Sequence, residues 1–388
     1  MALQPYKGAN TAQFYVAELT PGVTPTNPSW SPLRNTGGIP AVTRDALVSN
    51  ELDGSREVSS IRTGNKQVAG EYSIELSASS QDELLAGAMT SAWQAGSNTV
   101  GLTVSVNAAA KTFTRATGDF TTLVEVGDLV RFPLLTGNNA LPFIVTAVTP
   151  TVITGVAINH TLTDETDAET DLVVADKLET GNFCKTYSVL TWFRGTCGTP
   201  NSYLLTKGVE FTGFTIEQAV NAMVTGSFPF IGLSQEVLTG PPAGSTFTVN
   251  FDAQPFASVD VSAFNGTAPL KLIDTFTITN DNAASAQFEL GNSSVAFVER
   301  GRAANTFSLA GKLYDTALLG LFLSETQIEL TSILAGPDGA MSFTLKRAEL
   351  TAATPEIGGT ESVTLSMEGQ ATGNLTQSSI VIQRISYA

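Results

Sequence analysis

The chain has 388 residues, with 20 Lys and Arg against 36 Asp and Glu, and a formal net charge of −16 at pH 7. That sign argues against a surface that grips nucleic acid by neutralising phosphates, and it suits one that lets a polyanion pass. Charged residues are only 14% and hydrophobic ones 42%, with Thr, Ser, Asn and Gly prominent in the remainder, a mixture that predicts turn-rich β-structure over two to three domains.

The opening, Met1 to Gly8, lacks the charged run and apolar core of a secretory signal. No apolar window approaches the roughly 18 residues that a membrane helix needs, so the expectation is a soluble product of a cytoplasm. Residues 1–45 hold Pro5, Pro21, Pro25, Pro28, Pro32 and Pro40, with Gly22, Gly37 and Gly38 between them. They predict an extended N-terminal arm. Such an arm is either disordered or laid on a neighbouring subunit, and its apolar residues Phe14, Tyr15, Val16, Leu19, Trp30 and Leu33 favour the second.

From Leu47 to Ser77 apolar residues alternate with polar ones (Val58, Ile61, Val68, Tyr72, Ile74, Leu76), the pattern of half-buried antiparallel strands. The period then lengthens: Leu84, Leu85, Ala88, Met89 and Ala92 predict a helix over 81–93, with Ser80 as N-cap and Glu83 completing a capping box. Strands are expected at Tyr203–Lys207, Val209–Gln218 and Ala222–Phe230. Residues 240–265 read as a turn-rich linker leading through Phe247, Val249 and Phe251. After it come strands with Phe276, Ile278, Phe288 and Phe297, a helix from Tyr314 to Leu323 opening near Asp315, strands Ser342–Leu350 and Glu361–Gly369, and a last strand Ser379–Ile385.

Two stretches repeat. Gly70–Leu76 through Asp82–Gly87 aligns with Ala303–Leu309 through Asp315–Gly320 at a shift of 233 (307 − 74), while Lys207–Thr212 aligns with Lys346–Thr351 at 139 (346 − 207). Glu217 and Val224 then fall on Glu356 and Val363. A unit used twice, with about 94 extra residues (233 − 139) in its first copy, follows from the two shifts. The surplus falls at 97–182, where strands at 100–106, 112–115, 129–132, 143–148, 152–158 and 171–174 predict a small all-β barrel or sandwich projecting from the surface. The resulting division is an arm over 1–45, a first unit over 46–96 and 183–239, the insert over 97–182, a linker over 240–265 and a second unit over 266–388.

Chemistry-bearing patterns are sparse. The acidic run Asp164–Asp171 lacks the turn glycine and ligand spacing of a calcium loop and reads as a solvated loop. His160 has no second histidine or nucleophile motif beside it and reads as a surface or packing residue. Cys184 and Cys197, thirteen apart, read as buried or free thiols, with a hairpin-closing disulfide as the alternative. Gly195-Thr196-Cys197-Gly198 has no histidine base near it, and neither a nucleophile elbow, a phosphate loop nor a dinucleotide fingerprint occurs. The 36 acidic residues always provide some carboxylate pair, so a pair alone says nothing of a glycosidase. Lys207 with Glu210 and Lys346 with Glu349 recur in both copies, either as salt-bridge ladders between subunits or as solvated strand faces. No catalytic, cofactor-binding or metal-binding residue is assigned, and no enzyme activity or cofactor is expected.

The chain resembles the major tail tube proteins of bacteriophages with long non-contractile tails, in the branch with tandemly duplicated tube domains. The resemblance rests on the Pro-rich opening to Gly37-Gly38-Ile39-Pro40, the run Ile61 to Leu76, the helix Asp82 to Met89, and, in the insert, Val126-Gly127-Asp128-Leu129-Val130 and Phe143 to Thr149. It implies a mainly β fold: two tandem tail-tube-type β-sandwich or barrel units, each with a short flanking helix, plus the inserted small all-β domain and the arm. It implies a virion tail component that stacks as rings into the tube conducting double-stranded DNA, with partners of the tape-measure, tail-tip and tail-terminator types and no membrane insertion. Six tube domains per ring imply three chains. About four inner strands per domain give roughly 24 strands, a barrel about 48 Å across and a bore of about 35 to 40 Å. The arm, the C-terminal strand and long loops would hold ring to ring. The alternative class is a non-enzymatic surface adhesin or receptor-binding β protein with the insert as its binding module, although Phe113, Phe120, Phe132 and Phe143 look like core.

Overall fold

The computed structural model describes residues 4–52, 56–158, 160–249, 252–359 and 361–387. Phe251 and Met1 to Leu3 lie outside them. The chain is mainly β. It begins with β1 (Thr11–Ala17), β2 (Ala41–Val48), β3 (Ile61–Glu75) and helix α1 (Asp82–Ala88). Strands β4 (Asn98–Asn107), β5 (Thr112–Arg115), β6 (Leu129–Arg131), β7 (Phe143–Val148), β8 (Val152–Ala157) and β9 (Glu165–Val174) then close into a barrel. The chain re-enters the main sheet system through β10 (Tyr187–Phe193), β11 (Ser202–Phe211), β12 (Gly213–Ala219), β13 (Thr225–Gly232) and β14 (Ser234–Leu238). It ends with β15 (Val261–Asn265), β16 (Ile273–Asp281), β17 (Ala304–Lys312), helix α2 (Ala317–Leu323), β18 (Ile328–Ala335), β19 (Gly339–Glu356), β20 (Thr364–Ala371) and β21 (Ile380–Ser386).

One pairing scheme occurs twice. In the first set β1 pairs β10, β10 pairs β11, β11 pairs β14, β12 pairs β13, and β13 pairs β3, which pairs β2. In the second, β15 pairs β18, β18 pairs β19, β19 pairs β21 and β20, and β20 pairs β17, which pairs β16. The single long strand β19 takes the place of β11 and β12 together. The register agrees residue for residue at 139: Thr215–Ser227, Ile216–Gly226 and Glu217–Thr225 become Thr354–Ser366, Pro355–Leu365 and Glu356–Thr364. The other shift differs. Glu75 pairs Thr225 and Lys312 pairs Thr364, so β3 and β17 correspond at 237 (312 − 75) where the residue alignment gives 233. A strand moved by four residues keeps the same side chains on the same face, so Phe307 and Leu309 still point to the core, as Tyr72 and Ile74 do, and the apolar alternation cannot distinguish the two shifts.

A single apolar core runs under both sets, with Phe211, Phe214 and Phe228 joined to Phe307, Leu345 and Phe343. The seam is the β12–β16 ladder, seven pairs from Gly213–Asp281 to Ala219–Thr275. The barrel has its own core, in which Phe113, Phe120, Phe132 and Phe143 are fully buried. It does not merely project. Leu129, Ile158 and Ala175 pack with Phe264, Ile333, Ala340 and Ile385, and the Gln383 side chain receives Leu129 N–H at 2.9 Å and donates to the Gly127 carbonyl at 2.8 Å.

Several expectations are corrected. The N-terminal arm lies on its own chain: β1 pairs β10 from Thr11–Phe193 to Ala17–Tyr187, and Phe14 and Trp30 are buried with Leu190, Tyr203 and Leu205. The reason is local, because Thr11–Ala17 carries no proline and completes a sheet edge within the same chain. The C-terminal strand is also internal; β21 lies between β19 and the short strand Asp176–Glu179, with Ile380 and Ile382 fully buried. Apart from Asp164, the acidic run is not a loop but part of β9, whose alternation fits a strand with one solvated face. Both helices are shorter than expected. The N-cap of α1 is Gln81 instead of Ser80, and no side chain caps the helix; the Gln81 side chain is engaged by Ser77 N–H at 3.1 Å and Glu75 O at 3.2 Å. α2 starts at Ala317, with Asp315 accepting its N–H at 2.9 Å.

Candidate functional site

Eight strands form a continuous run in the order β2, β3, β13, β12, β16, β17, β20 and the C-terminal half of β19. Alternation divides their side chains between two faces. One face carries Tyr72, Ile74, Phe228, Phe214, Ile216, Phe276, Ile278, Phe307 and Met367 into the core. The other is traced by a row of paired residues: Glu75, Thr225, Glu217, Thr277, Ser308, Glu368 and Ala352. That face is polar and small apart from its acids. Glu71, Glu75, Glu217, Asp281, Glu356 and Glu368 are exposed on it, against two bases: Lys312, which pairs with Asp274 at 3.1 Å, and Arg62, which lies opposite Leu47 at the far end of β3. Such a face repels phosphate and offers no cluster of cations to hold it.

The run ends in two open edges. Among the described residues no strand pairs with the outer edge of β2 or with that of β19 beyond Leu350. β2 is exposed along its whole length. Gly38, which leads into it, has φ 100°, and a Cβ there would lie 2.1 Å from the Glu71 carbonyl, so only glycine fits. Open strand edges are templates for pairing with another chain. Each edge carries a proline, Pro40 and Pro355, that withholds one N–H from a newcomer.

The two helices differ in the same sense. α1 buries Leu84 to Ala88, and Asn282, from beyond the seam, donates to the Ala88 carbonyl at 2.6 Å. α2, Ala-Leu-Leu-Gly-Leu-Phe-Leu, has no buried residue, although its composition is more apolar. An apolar helix uncovered beside an open edge marks an interaction surface.

The chemistry-bearing residues do not converge. Lys207 pairs with Glu236 at 2.6 Å and Lys346 with Glu329 at 2.8 Å. Glu210 is buried and ion-paired with Arg300, and Glu349 accepts from Gln327 at 2.6 Å. Within the chain, Lys and Glu of each recurring pair take different partners. Burial raises the Glu210 carboxyl above the usual range, with Arg300 opposing. Cys184 and Cys197 are both free and both exposed, which corrects the buried and the disulfide readings. His160 places Nδ1 2.6 Å from the Ile158 carbonyl, and burial lowers its pKa. In β9 and the turn before it, Asp164 accepts from Ala108 N–H, Asp171 from Gly101 N–H and Glu165 from Asn139, so these carboxylates brace separate turns. A groove of about 370 Å³ beside the seam is lined by Gln218, Ser258, Phe264 and Phe276, with Asp274 the one ionisable residue in it. Sequence reasoning did not place the edges or the residues of the acidic face because both need the strand order, which alternation does not give.

Among the described residues no helix is long and apolar enough to cross a membrane. A family model described as phage tail tube protein matches residues 8–371. No curated protein matches the chain.

Proposed function

The chain belongs to the phage tail tube protein family, and from that membership we propose that it is a passive conduit subunit, polymerising through its open sheet edges into rings that stack as the tail tube. It is a structural component of the virion tail. The observation that carries the proposal is the eight-stranded run with a solvated acidic face and a free edge at either end. Three chains joined edge to edge give about 24 strands, a bore of about 35 to 40 Å after side chains, and room for a duplex about 20 Å wide.

The doubled pairing scheme supports two tube units per chain, with the barrel β4–β9 as a decoration of the first, and hence a three-chain, pseudo-six-fold ring in a long non-contractile tail. The acidic face, turned to the channel, keeps double-stranded DNA from sticking, while a tape-measure-type protein fills the tube before ejection and tip and terminator proteins close its ends. Synthesis in the host cytoplasm completes the reading. With the arm and the last strand folded into their own chain, the β2–β3 hairpin is left to bridge rings; its Leu47, Val48, Leu52 and Val58 are exposed. Electron microscopy with rotational analysis of the assembled protein tests this: three-fold rings stacked into tubes are expected, and a particle that stays monomeric under every assembly condition overturns it.

A further inference from the structure

We propose that the joint between chains is a copy of the β12–β16 seam, with β2 of one chain pairing antiparallel to residues 351–356 of β19 in the next, in a register the chain itself specifies. This rests on the edge-to-edge reading above and names its partner strand and register. The transfer uses only observed pairs. Thr225 and Thr364 correspond at 139, so their partners Glu75 and Lys312 correspond, and with them Ala69 and Thr306. Ala69 pairs Ala41, and Thr306 pairs Thr279, so Ala41 stands where Thr279 does. Thr279 pairs Thr215, whose counterpart is Thr354. Ala41 of one chain therefore faces Thr354 of the next, Thr43 faces Ala352, and Val42 faces Ala353.

The backbone favours this register over its neighbours. In the seam the even residues of β16 bond across it: Asn282 N–H reaches the Thr212 carbonyl at 3.0 Å, and Val220 N–H the Asp274 carbonyl at 3.0 Å. The matching positions put Val42 and Ala353 in a doubly bonded pair. One step on, Pro40 meets Pro355. Neither has an N–H to give, and the Pro40 carbonyl already accepts from Gln235 Nε2 at 3.0 Å. A slip by two residues would set each proline against a residue whose N–H needs an acceptor and whose carbonyl needs a donor. The same docking brings Arg44 of β2, the counterpart of Asn282, toward the uncovered α2, as Asn282, just past the end of β16, covers α1.

The test is disulfide trapping in the full chain with Cys184 and Cys197 replaced by Ser. Ala41→Cys with Thr354→Cys occupies a site equivalent to Thr215–Thr279, a pair not bonded through the backbone, where hydroxyl oxygens lie 3.2 Å apart and Cα atoms about 4.5 Å apart, within disulfide reach. After assembly and mild oxidation, non-reducing electrophoresis should show dimers and trimers and nothing larger. Within one chain the two positions are seven strand spacings apart, about 33 Å, so no internal bridge forms. Ala41→Cys with Ala352→Cys, a diagonal pair, should stay uncrosslinked. If rings form but the diagonal pair links and the direct pair does not, the register is overturned and the ring reading stands; if the unsubstituted chain forms no rings, the reading beneath it fails. Hydrogen exchange of the unsubstituted protein is the independent check: Val42 and Ala353 amides should slow at least ten-fold on assembly, and unchanged rates overturn the joint.

Discussion

Gly208 at φ 66° and Arg347 at φ 49° hold the same left-handed backbone position, 139 residues apart, at the bend where each set passes from one sheet to the other. Glycine takes this conformation freely, whereas an arginine there is strained by its Cβ. Arg347→Gly should therefore stabilise the chain by about 0.5 to 1 kcal/mol, the relief exceeding the added freedom of the unfolded chain. Gly208→Ala should cost about 2 kcal/mol, since it adds the same strain and drives a Cβ to 2.5 Å from Leu233 Cγ. Urea unfolding of both variants measures the difference, and equal signs would contradict the correspondence.

Arg384 on the last strand joins the first helix through Asp82, meets Asp176 at 3.1 Å and lies 4.3 Å over the Trp93 ring. Burial pushes the Asp82 carboxyl up to about 6, with Arg384 pulling it down. Because the folded value lies above an unfolded one of about 3.9, stability from this group is full below pH 4 and is lost as pH rises through about 6. Arg384→Met removes the opposing charge and should cost about 3 kcal/mol at pH 8. The loss should shrink at pH 5, where Asp82 is largely protonated. A loss independent of pH would assign the effect to packing on Trp93.

Gln383 is a polar tie between the main sheet and the barrel, beside the Lys177–Asp128 ion pair at 2.6 Å, and both groups it satisfies, Leu129 N–H and the Gly127 carbonyl, are backbone. Gln383→Leu leaves them without partners, at about 2 kcal/mol. Exchange of the Leu129 amide should accelerate and the barrel should melt ahead of the sheet. A single unchanged transition would show that Leu129, Ile158 and Ile385 hold the barrel without the tie.

The residues explain what was legible. Alternation in Tyr72–Leu76 and Phe307–Leu309 gave strands, the longer period at Leu84–Ala88 gave a helix, and the Phe-rich run of the insert gave a separate core. Pairing partners are non-local, so the eight-strand order, the seam and the open edges could not be read from spacing. Proline content misled at the arm, because prolines end a strand without preventing one between them, as at Thr11–Ala17. Acid content misled at β9, where carboxylates on the solvated face of a strand look like a loop.

The acidic face permits the most direct functional prediction. Glu217 pairs across to Thr225 and Thr277, and Glu368 to Ser308 and Ala352, so neither lies on an open edge and neither side chain enters the core. Glu217→Lys with Glu368→Lys should leave folding and tube assembly intact while removing two carboxylates and adding two cations to that face in every chain. If the face lines the channel, DNA should be held in it at low salt and released as salt rises, with a log–log slope steepening by about 0.9 for each phosphate neutralised. In particles carrying the double variant, ejection should slow most at low ionic strength, where screening is weakest. Normal ejection at every salt concentration, from tubes that assemble normally, would place the acidic face outside the channel and require the sheet to curve the other way.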